Sequence, residues 1–299
     1  MKKQKVVVIV GQTASGKTAL SLELAQKIGA EIISADSRQV YLGMDLGSGK
    51  VTKEEQAIAL HHLLDVADPR KDVFTVADFV EQGSEILDKT LKRAVTPIIV
   101  GGTFLYVDAL LGKISIPKVA PNEEFRASLE TCSNDELFAM LAQKDARRAS
   151  EIDKYNRVRL VRALEIINTL GSVPEVMPSE KYDVYTIGLS IEKEKLHERI
   201  HTRLLQRFDE GMIEEVTRLH EEGVSWERLH RFGLEYRHIA AYLQGTIPNK
   251  EALIATLDQD IRSFAKRQMT WLTRDKTIHW YPFDAHEQII ADVEGWLAA

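Results

Sequence analysis

The sequence contains only one cysteine, Cys132, among its 299 residues. One cysteine cannot form a disulfide within the chain or supply a multi-cysteine zinc site, so any metal must be bound by oxygen or by histidine. The sequence also lacks an apolar run near the roughly 18 residues that cross a bilayer. Its basic N-terminus leads straight into a β-branched run and a glycine turn, without the long apolar stretch of a signal peptide. We therefore expect a cytoplasmic protein with no membrane association.

An excess of positive charge is missing as well. The chain has 39 basic and 45 acidic residues, which gives a formal net charge of −6. This balance argues against a protein whose whole surface binds nucleic acid through phosphates, although it allows a local basic groove. Hydrophobic residues make up 44% of the chain, which is enough to exclude a largely disordered protein. The length suits one large domain with an elaboration or a second small domain.

Strand patterns and helix patterns alternate along the chain. A β-branched run is followed by a glycine loop and an apolar helical pattern, and other short apolar runs follow. The predicted strands are 6–10, 31–35, 97–100, 186–189 and 277–280, and the clearest predicted helices are 75–94, 104–111 and 285–297. Alternation of this kind indicates a parallel sheet. We predict an α/β fold, namely a P-loop NTPase-like parallel sheet flanked by helices, with a helical insertion domain.

The predicted insertion covers residues 117–183. Four of the eight prolines bracket this stretch, which has helical patterns and no clear strand; they are Pro117, Pro121, Pro174 and Pro178. Residues 1–116 and 184–299 would then form the catalytic core, with nucleic-acid-binding helices near the C-terminus. An alternative stays open, in which these helices are ordinary crossovers that cover the sheet.

Residues 11–18 match the phosphate-loop pattern G-x-x-x-x-G-K-[ST]. Because the loop follows a strand and opens a helix, its backbone N–H groups and the helix dipole would bind linked phosphates. Lys17 would add a point charge, and the Thr18 hydroxyl would be a ligand of Mg²⁺. A turn that only reverses the chain would need neither residue. The predicted diphosphate-binding residues are Gly11, Thr13, Ala14, Ser15, Gly16, Lys17 and Thr18.

An acidic side chain near the phosphate loop is harder to find. The strand at 97–100 ends in Gly101-Gly102-Thr103 and offers no carboxylate, whereas the strand at 31–35 ends at Asp36. Since ligands in open α/β sheets bind outside the carboxyl ends of strands, Asp36 should face the loop. Two simpler interpretations stay open. Asp36 could be a turn or N-cap residue, and Thr103 could cap the following helix.

Basic residues form three stripes. Arg199, Arg203 and Arg207 recur every four residues on one helical face. The other stripes are Arg159 with Arg162, and Arg262, Lys266 and Arg267 followed by Trp271 and Arg274. A single stripe is typical of a solvated face, but three in an acidic chain predict positive potential over a polyanion larger than a diphosphate.

Several motifs occur in an order that resembles the bacterial tRNA dimethylallyltransferase family. They are Gly-x-Thr-Ala-Ser-Gly-Lys-Thr at 11–18, Ile-Ser-Ala-Asp-Ser at 33–37, Tyr-x-Gly-Met-Asp at 41–45, His-His-Leu-Leu-Asp at 61–65, Gly-Gly-Thr-x-x-Tyr at 101–106, Arg-x-x-Arg-Ala-Leu-Glu at 159–165 and Lys-Arg-Gln-x-Thr-Trp at 266–271. The resemblance spans most of the chain. It implies transfer of a dimethylallyl group from dimethylallyl diphosphate to N6 of adenine 37 of tRNA, with release of diphosphate, Mg²⁺ as cofactor and a monomeric enzyme.

The resemblance also implies roles for individual residues. Asp36 would be the general base, Arg203 would stabilise the diphosphate together with the loop, and Thr103 would orient the reacting groups. The residues expected to contact tRNA are Asp36, Ser37, Arg38, Gln39, Thr103, Arg126, Val158, Arg159, Leu160, Val161, Arg162, Lys266, Arg267 and Gln268.

Two departures from the family pattern accompany these motifs. Glu235 stands where the family commonly has glycine, within Leu-Glu-Tyr-Arg at 234–237, and the segment 47–51 lacks the usual proline after Lys50. Two alternative functions also stay open. The first is a small-molecule kinase in which ATP fills the loop and Asp36 is the base, and the second is a non-catalytic, nucleotide-controlled RNA-binding module.

Overall fold

The computed structural model describes residues 3–175 and 181–299. The chain divides into two compact units. The sheet unit comprises Met1–Leu111 and Glu180–Ala299, and the helical unit comprises Gly112–Ser179. Pro178, one of the prolines that mark the predicted insertion, lies outside the described residues.

The sheet unit contains a six-stranded sheet in the order β3-β2-β4-β1-β5-β6, in which every pairing is parallel. The strands are β1 (Gln4–Gly11), β2 (Glu31–Ser34), β3 (His61–His62), β4 (Pro97–Val100), β5 (Tyr182–Ser190) and β6 (His279–Pro282). A parallel sheet flanked by helices confirms the predicted fold class.

Helices connect and cover these strands. In the first part of the sheet unit they are α1 (Lys17–Ile28), α2 (Lys53–Ile58), α3 (Val76–Lys92) and α4 (Phe104–Leu110). The helical unit contains α5 (Glu123–Ser128), α6 (Asn134–Lys144), α7 (Ala146–Glu151) and α8 (Arg157–Leu170). The rest of the sheet unit contains α9 (Lys193–Asp209), α10 (Met212–Glu221), α11 (Trp226–Phe232), α12 (Leu234–Leu243), α13 (Lys250–Leu272) and α14 (His286–Ala298).

The central strand β1 is apolar on both of its faces because helices cover both sides of the sheet. Val8 packs in one core with Ile33 and Ile99, and Ile9 packs in the other core with Leu20. A continuous apolar run is therefore the pattern expected of this strand.

Two strand predictions need correction, and one strand was missed. The last strand begins at His279, two residues later than predicted, because its register is set by pairing Ile187 with His279. β5 begins at Tyr182, within the predicted insertion, because it pairs along the whole of β1. β3 was not predicted, since two residues are too few to form a recognisable pattern.

The carboxyl ends of β1, β2 and β4 bring three loops to one edge of the sheet. These loops are residues 11–16, 35–39 and 101–103, which follow the three paired strands. Helices α9 to α13 form their own apolar core beside them, and this core includes Ala14 of the first loop together with Leu204 and Ala265. The phosphate loop is therefore packed against the C-terminal helices.

The helical unit has a separate core. Leu137, Leu141, Leu160 and Leu164 are its most buried members. Among residues 3–175 and 181–299, no helix is both long and apolar enough to span a membrane.

Candidate active site

The phosphate loop lies between β1 and α1, where the sequence pattern predicts it. Gly16 precedes α1 with φ 97°, a left-handed conformation that favours glycine. Lys17 and Thr18 begin the helix, so backbone N–H groups of this first turn lack intrahelical acceptors and the helix dipole favours an anion here. The loop therefore has the backbone geometry of an anion site.

Lys17 folds back over its own loop. Its Nζ donates to the carbonyl oxygens of Gly11 at 3.0 Å and Gln12 at 2.7 Å. Burial, reinforced by the nearby charge of Arg203, lowers the pKa of Lys17 to about 7, although Asp36 opposes this shift. The ammonium group is therefore poised to lose its proton near neutral pH while no anion is bound.

The arginines of α9 cover the phosphate loop and do not form a solvated face. Arg199 Nε donates to the Ala14 carbonyl at 2.8 Å, and the Arg203 guanidinium donates to the Thr13 hydroxyl. Arg207 lines the same cavity one turn later. Burial and the charge of Arg207 lower the pKa of Arg203 to about 9. This stripe therefore faces the phosphate loop, whereas the sequence pattern grouped it with the other basic stripes over a larger polyanion.

Asp36 and Thr103 meet beside the loop. Asp36 Oδ1 accepts the backbone N–H of Arg38 at 2.8 Å, so Asp36 does form the turn of the simpler interpretation and also lines the cavity. The Thr103 hydroxyl makes no capping bond to α4 and instead accepts the Ser37 N–H at 3.2 Å. This bond links the ends of β2 and β4.

Three glutamine side chains hold the loops around the cavity in place, and one of them, Gln12, was not among the predicted site residues. Gln268 Oε1 accepts the Thr13 N–H at 2.7 Å, and its Nε2 donates to the Gly102 carbonyl. Gln268 is 5% exposed and links two loops, and it also lines the cavity between them. Gln12 Nε2 bonds the Ala265 carbonyl, and Gln39 Nε2 bonds the Gly49 carbonyl. Their placement in loops carried no sequence signal.

Glu215 of α10 is a further residue that sequence reasoning missed. Its buried carboxylate accepts backbone N–H groups of Asp45, Leu46 and Gly47 and the hydroxyl of Tyr236. A Cβ on Gly47 would lie 2.6 Å from the Tyr236 ring, so only glycine fits this close approach. Glu215 therefore fixes one wall of the cavity.

The cavity at this edge has a volume of about 560 Å³. It contains cations from the loop and from α9 together with the carboxylates Asp36 and Glu235. A second cavity of about 660 Å³ reaches the other side of the phosphate loop, and it shares Lys17, Thr18 and Arg203 with the first. The loop is thus accessible from two sides, which suits a reaction between two substrates.

The predicted tRNA contacts fall into two sets. In the sheet unit, Ser37, Arg38, Gln39 and Arg267 line the first cavity, and Lys266 is exposed on α13. In the helical unit, a groove of about 510 Å³ is lined by the predicted residues Arg126, Val158, Val161 and Arg162, and Arg159 is exposed. The prediction for Leu160 is wrong, because its side chain is fully buried in the core of that unit.

The residues around the loop fit a metal ion that a substrate carries. No cluster of three or more His, Cys, Asp or Glu side chains that could hold an ion occurs in the part of the chain that the structure describes. Thr18 offers a hydroxyl to both cavities. This donor set suits Mg²⁺, which binds through substrate phosphates and few protein groups.

Comparisons with known proteins agree with this geometry. The family model described as "IPP transferase" matches residues 39–275. A tRNA dimethylallyltransferase of Anoxybacillus flavithermus is 40% identical over 93% of this chain and 90% of its own. A tRNA dimethylallyltransferase 2 of Treponema denticola is 42% identical over 91% and 92%, respectively.

Solved structures show the same relationship. The full-length tRNA isopentenylpyrophosphate transferase of Bacillus halodurans is 33% identical, with a TM-score of 0.73 over 99% of this chain and 96% of that one. A eukaryotic dimethylallyltransferase, crystallised acting on tRNA, shares the fold with a TM-score of 0.85 at 24% identity, over 99% of this chain and 80% of its own. These matches confirm the resemblance seen in the sequence: the chain belongs to the IPP transferase family and is a prenyltransferase enzyme.

Proposed function

We propose that this enzyme transfers a dimethylallyl group from dimethylallyl diphosphate to N6 of adenine 37 of tRNA and releases diphosphate. The observation that carries the proposal is the shared cavity. The cations Lys17 and Arg203 lie on the phosphate loop, and Asp36 and Thr103 line the same space. A leaving diphosphate and a nucleophile with its base can therefore lie side by side.

The chemistry follows from these groups. Adenine N6 is a weak nucleophile because its lone pair is delocalised into the ring. As the N6–C1 bond forms and the C1–O bond of the donor breaks, Asp36 accepts the N6 proton. The negative charge that develops on diphosphate is stabilised by the loop amides, Lys17 and Arg203. Thr103, whose hydroxyl already accepts the Ser37 N–H, orients the reacting groups beside Asp36.

Mg²⁺, carried by the diphosphate and bound by Thr18, would neutralise part of the leaving-group charge. Lys17 complements it from the protein side by moving from the carbonyls of Gly11 and Gln12 to phosphate oxygens. An anion at this position would also raise the depressed pKa of Lys17, which keeps the ammonium form during the reaction.

The target base must leave the stacked anticodon loop to enter the cavity, which costs a few kcal/mol and is easier in a single-stranded loop. Exposed Lys266, Arg267 and Arg159 supply charge for tRNA phosphates. We also propose that the helical unit, Gly112–Ser179, is an insertion domain that binds tRNA, and that the sheet unit holds the catalytic core. We further propose that the enzyme is a monomer and acts on tRNA in the cytoplasm.

The test is direct. Unmodified tRNA is incubated with the enzyme, Mg²⁺ and dimethylallyl diphosphate, and the tRNA is weighed by mass spectrometry and sequenced at position 37. A gain of C5H8 at adenine 37 is expected. A parallel incubation with ATP and candidate acceptors is expected to yield no ADP. Formation of ADP with a phosphorylated acceptor would favour a kinase, and tRNA binding without turnover would favour a binding module.

A further inference from the structure

Glu235 is a carboxylate that lines the cavity beside the phosphate loop, together with several cations. It is the second residue of α12, which the chain enters through Gly233 and Leu234, both with positive φ. Its side chain is 15% exposed, and Oε1 lies 3.7 Å from Nη1 of Arg207. At that separation the pair is ionic but lacks a hydrogen bond. A largely buried acid that makes no hydrogen bond to its arginine partner is costly to keep, so its position calls for an explanation.

Arg207 is fixed from its other side by backbone. Its side chain is 13% exposed, and a Cβ on Gly49 would lie only 1.9 Å from Nη2. Gly49, with φ 64°, belongs to the segment whose preceding residues Glu215 anchors. The guanidinium is therefore confined between an anchored loop and Glu235.

The arginines of α9 repel one another where they cover the phosphate loop. The charges of Arg207 and Arg199 both lower the pKa of Arg203, and Glu235 is the acid that opposes them. The charged groups that act on Glu235 are Arg207 and Arg203 of α9 and Asp36 from the end of β2. Asp36 repels it, so the α9 arginines are its attractive partners.

We propose that Glu235 is a positioning residue for donor binding. It holds Arg207, and through Arg207 the other arginines of the α9 stripe, at the phosphate loop until the diphosphate binds. The inference rests on the proposed function, because the diphosphate of the donor is the anion that replaces Glu235 as the partner of the α9 arginines. Without Glu235, Arg207 would turn toward solvent to escape Arg203, and donor binding would have to bring it back.

The test is a double-mutant cycle with Glu235→Gln and Arg207→Gln. Each single variant is expected to raise KM for dimethylallyl diphosphate by about 3- to 10-fold, a typical coupling size for contacting residues. kcat should stay within about twofold and KM for tRNA should not change, because the pair acts on donor binding alone. The double variant should be no worse than the worse single variant, and Glu235→Asp should restore part of the donor affinity.

Matched controls and a binding measurement complete the design. Glu227 and Arg231 form an exposed pair on α11, so their glutamine variants should leave every parameter unchanged. Calorimetric titration of each variant with inorganic diphosphate and Mg²⁺ should show the same loss of affinity as KM. A lowered donor KM in Glu235→Gln would overturn the proposal, because Glu235 would then act only by repelling the donor. The proposal would also be overturned if the changes in donor KM of the two single variants added up in the double variant.

The titration separates this inference from the proposed function. If the wild-type enzyme binds diphosphate but adds no prenyl group to tRNA, the proposed function fails and the variant affinities still decide the role of Glu235. If Glu235→Gln does not fold, as judged by thermal unfolding, Arg207→Gln and Glu235→Asp decide instead. Wild-type diphosphate affinity in Arg207→Gln would then overturn the inference.

Discussion

Two buried glutamates with arginine neighbours differ in what surrounds them. In the helical unit, Glu165 accepts hydrogen bonds from Arg126, Arg162 and the Asn122 N–H. In the sheet unit, Glu235 faces Arg207 at 3.7 Å without a hydrogen bond. Burial acts to raise both pKa values, but the hydrogen bonds at Glu165 outweigh it and lower that pKa to about 2, whereas the pKa of Glu235 is raised.

The difference separates an ion cluster whose acid accepts direct hydrogen bonds from its arginines from one whose acid does not. The oxygens of Glu165 are satisfied inside the protein, so the cluster holds α8 to the segment before α5. The cations near Glu235 retain unused donor capacity that a ligand can take. Burial of charge alone does not tell the two apart, but the count of direct hydrogen bonds does.

The largest effect is expected at Asp36. Asp36→Asn keeps an oxygen for the Arg38 N–H but removes the base, so kcat should fall by about 10²- to 10⁴-fold, while tRNA affinity and thermal stability stay near wild type. Single-turnover prenyl transfer measures the loss. Asp88→Asn, at a surface pair with Lys181, is the matched control. Normal turnover in Asp36→Asn would remove Asp36 as the base.

Glu165 should show the opposite pattern. Glu165→Ala removes hydrogen bonds to the acid that two partly exposed arginines share and should destabilise the helical unit by about 1.5–3 kcal/mol, with kcat per folded molecule little changed. Hydrogen exchange resolved along the chain measures the free energy of unfolding of each unit. A destabilised sheet unit with an intact helical unit would contradict the comparison.

The stabilisation by Glu165 should also depend on pH. Its pKa in the folded protein is below the ordinary value of 4.5, so its contribution is complete above pH 4.5 and is lost as pH falls toward about 2. Urea unfolding of the wild type and of Glu165→Gln at several pH values tests this. The two curves should converge only at the acid end.

Lys17 should give a pH dependence of the opposite direction: its contribution to activity is lost as pH rises, whereas the contribution of Glu165 to stability is lost as pH falls. Because its pKa in the free enzyme is about 7, the ammonium form prevails below that pH and is lost above it. The kcat/KM for the donor, which reports the free enzyme, should therefore decline above pH 7 by up to about tenfold per pH unit. Lys17→Arg, which stays charged, should be less active but lack this decline. The same decline in Lys17→Arg would assign it to another group.

The smallest effect is expected at the exposed pair of Glu227 and Arg231. Removing this i,i+4 pair should change the free energy of unfolding by at most about 0.5 kcal/mol, with no change in turnover. Chemical denaturation measures it. A loss as large as that of Glu165→Ala would show that hydrogen-bond count and burial do not govern the contribution of these pairs.

Much of the fold and part of the site could be predicted from the sequence. The run 6–10 reveals β1 because a strand buried on both faces must be apolar throughout. Asp36 could be placed near the phosphate loop because ligands bind outside the carboxyl ends of parallel strands. Leu160 could have been excluded too, because with Ala163, Leu164 and Ile167 it follows the spacing of a buried helical face.

The remaining features depend on contacts between distant segments. Glu215 binds loop residues about 170 positions earlier in the chain, and no local pattern marks such a partner. The placement of the α9 arginines over the loop likewise follows from packing of α9 against α13 and the loop. Periodicity could show that they share a face but not what that face meets.

The strand order also bears on how the polypeptide acquires its structure during synthesis. β1 emerges first from the ribosome, yet along one side it pairs with β5, which begins only at Tyr182. β1 therefore cannot pair with β5 until the whole helical unit has been translated. Pairings this distant close slowly, so the nascent chain exposes an apolar strand edge for many seconds at about 5–20 residues per second. Chaperones that shield such edges would act in this interval.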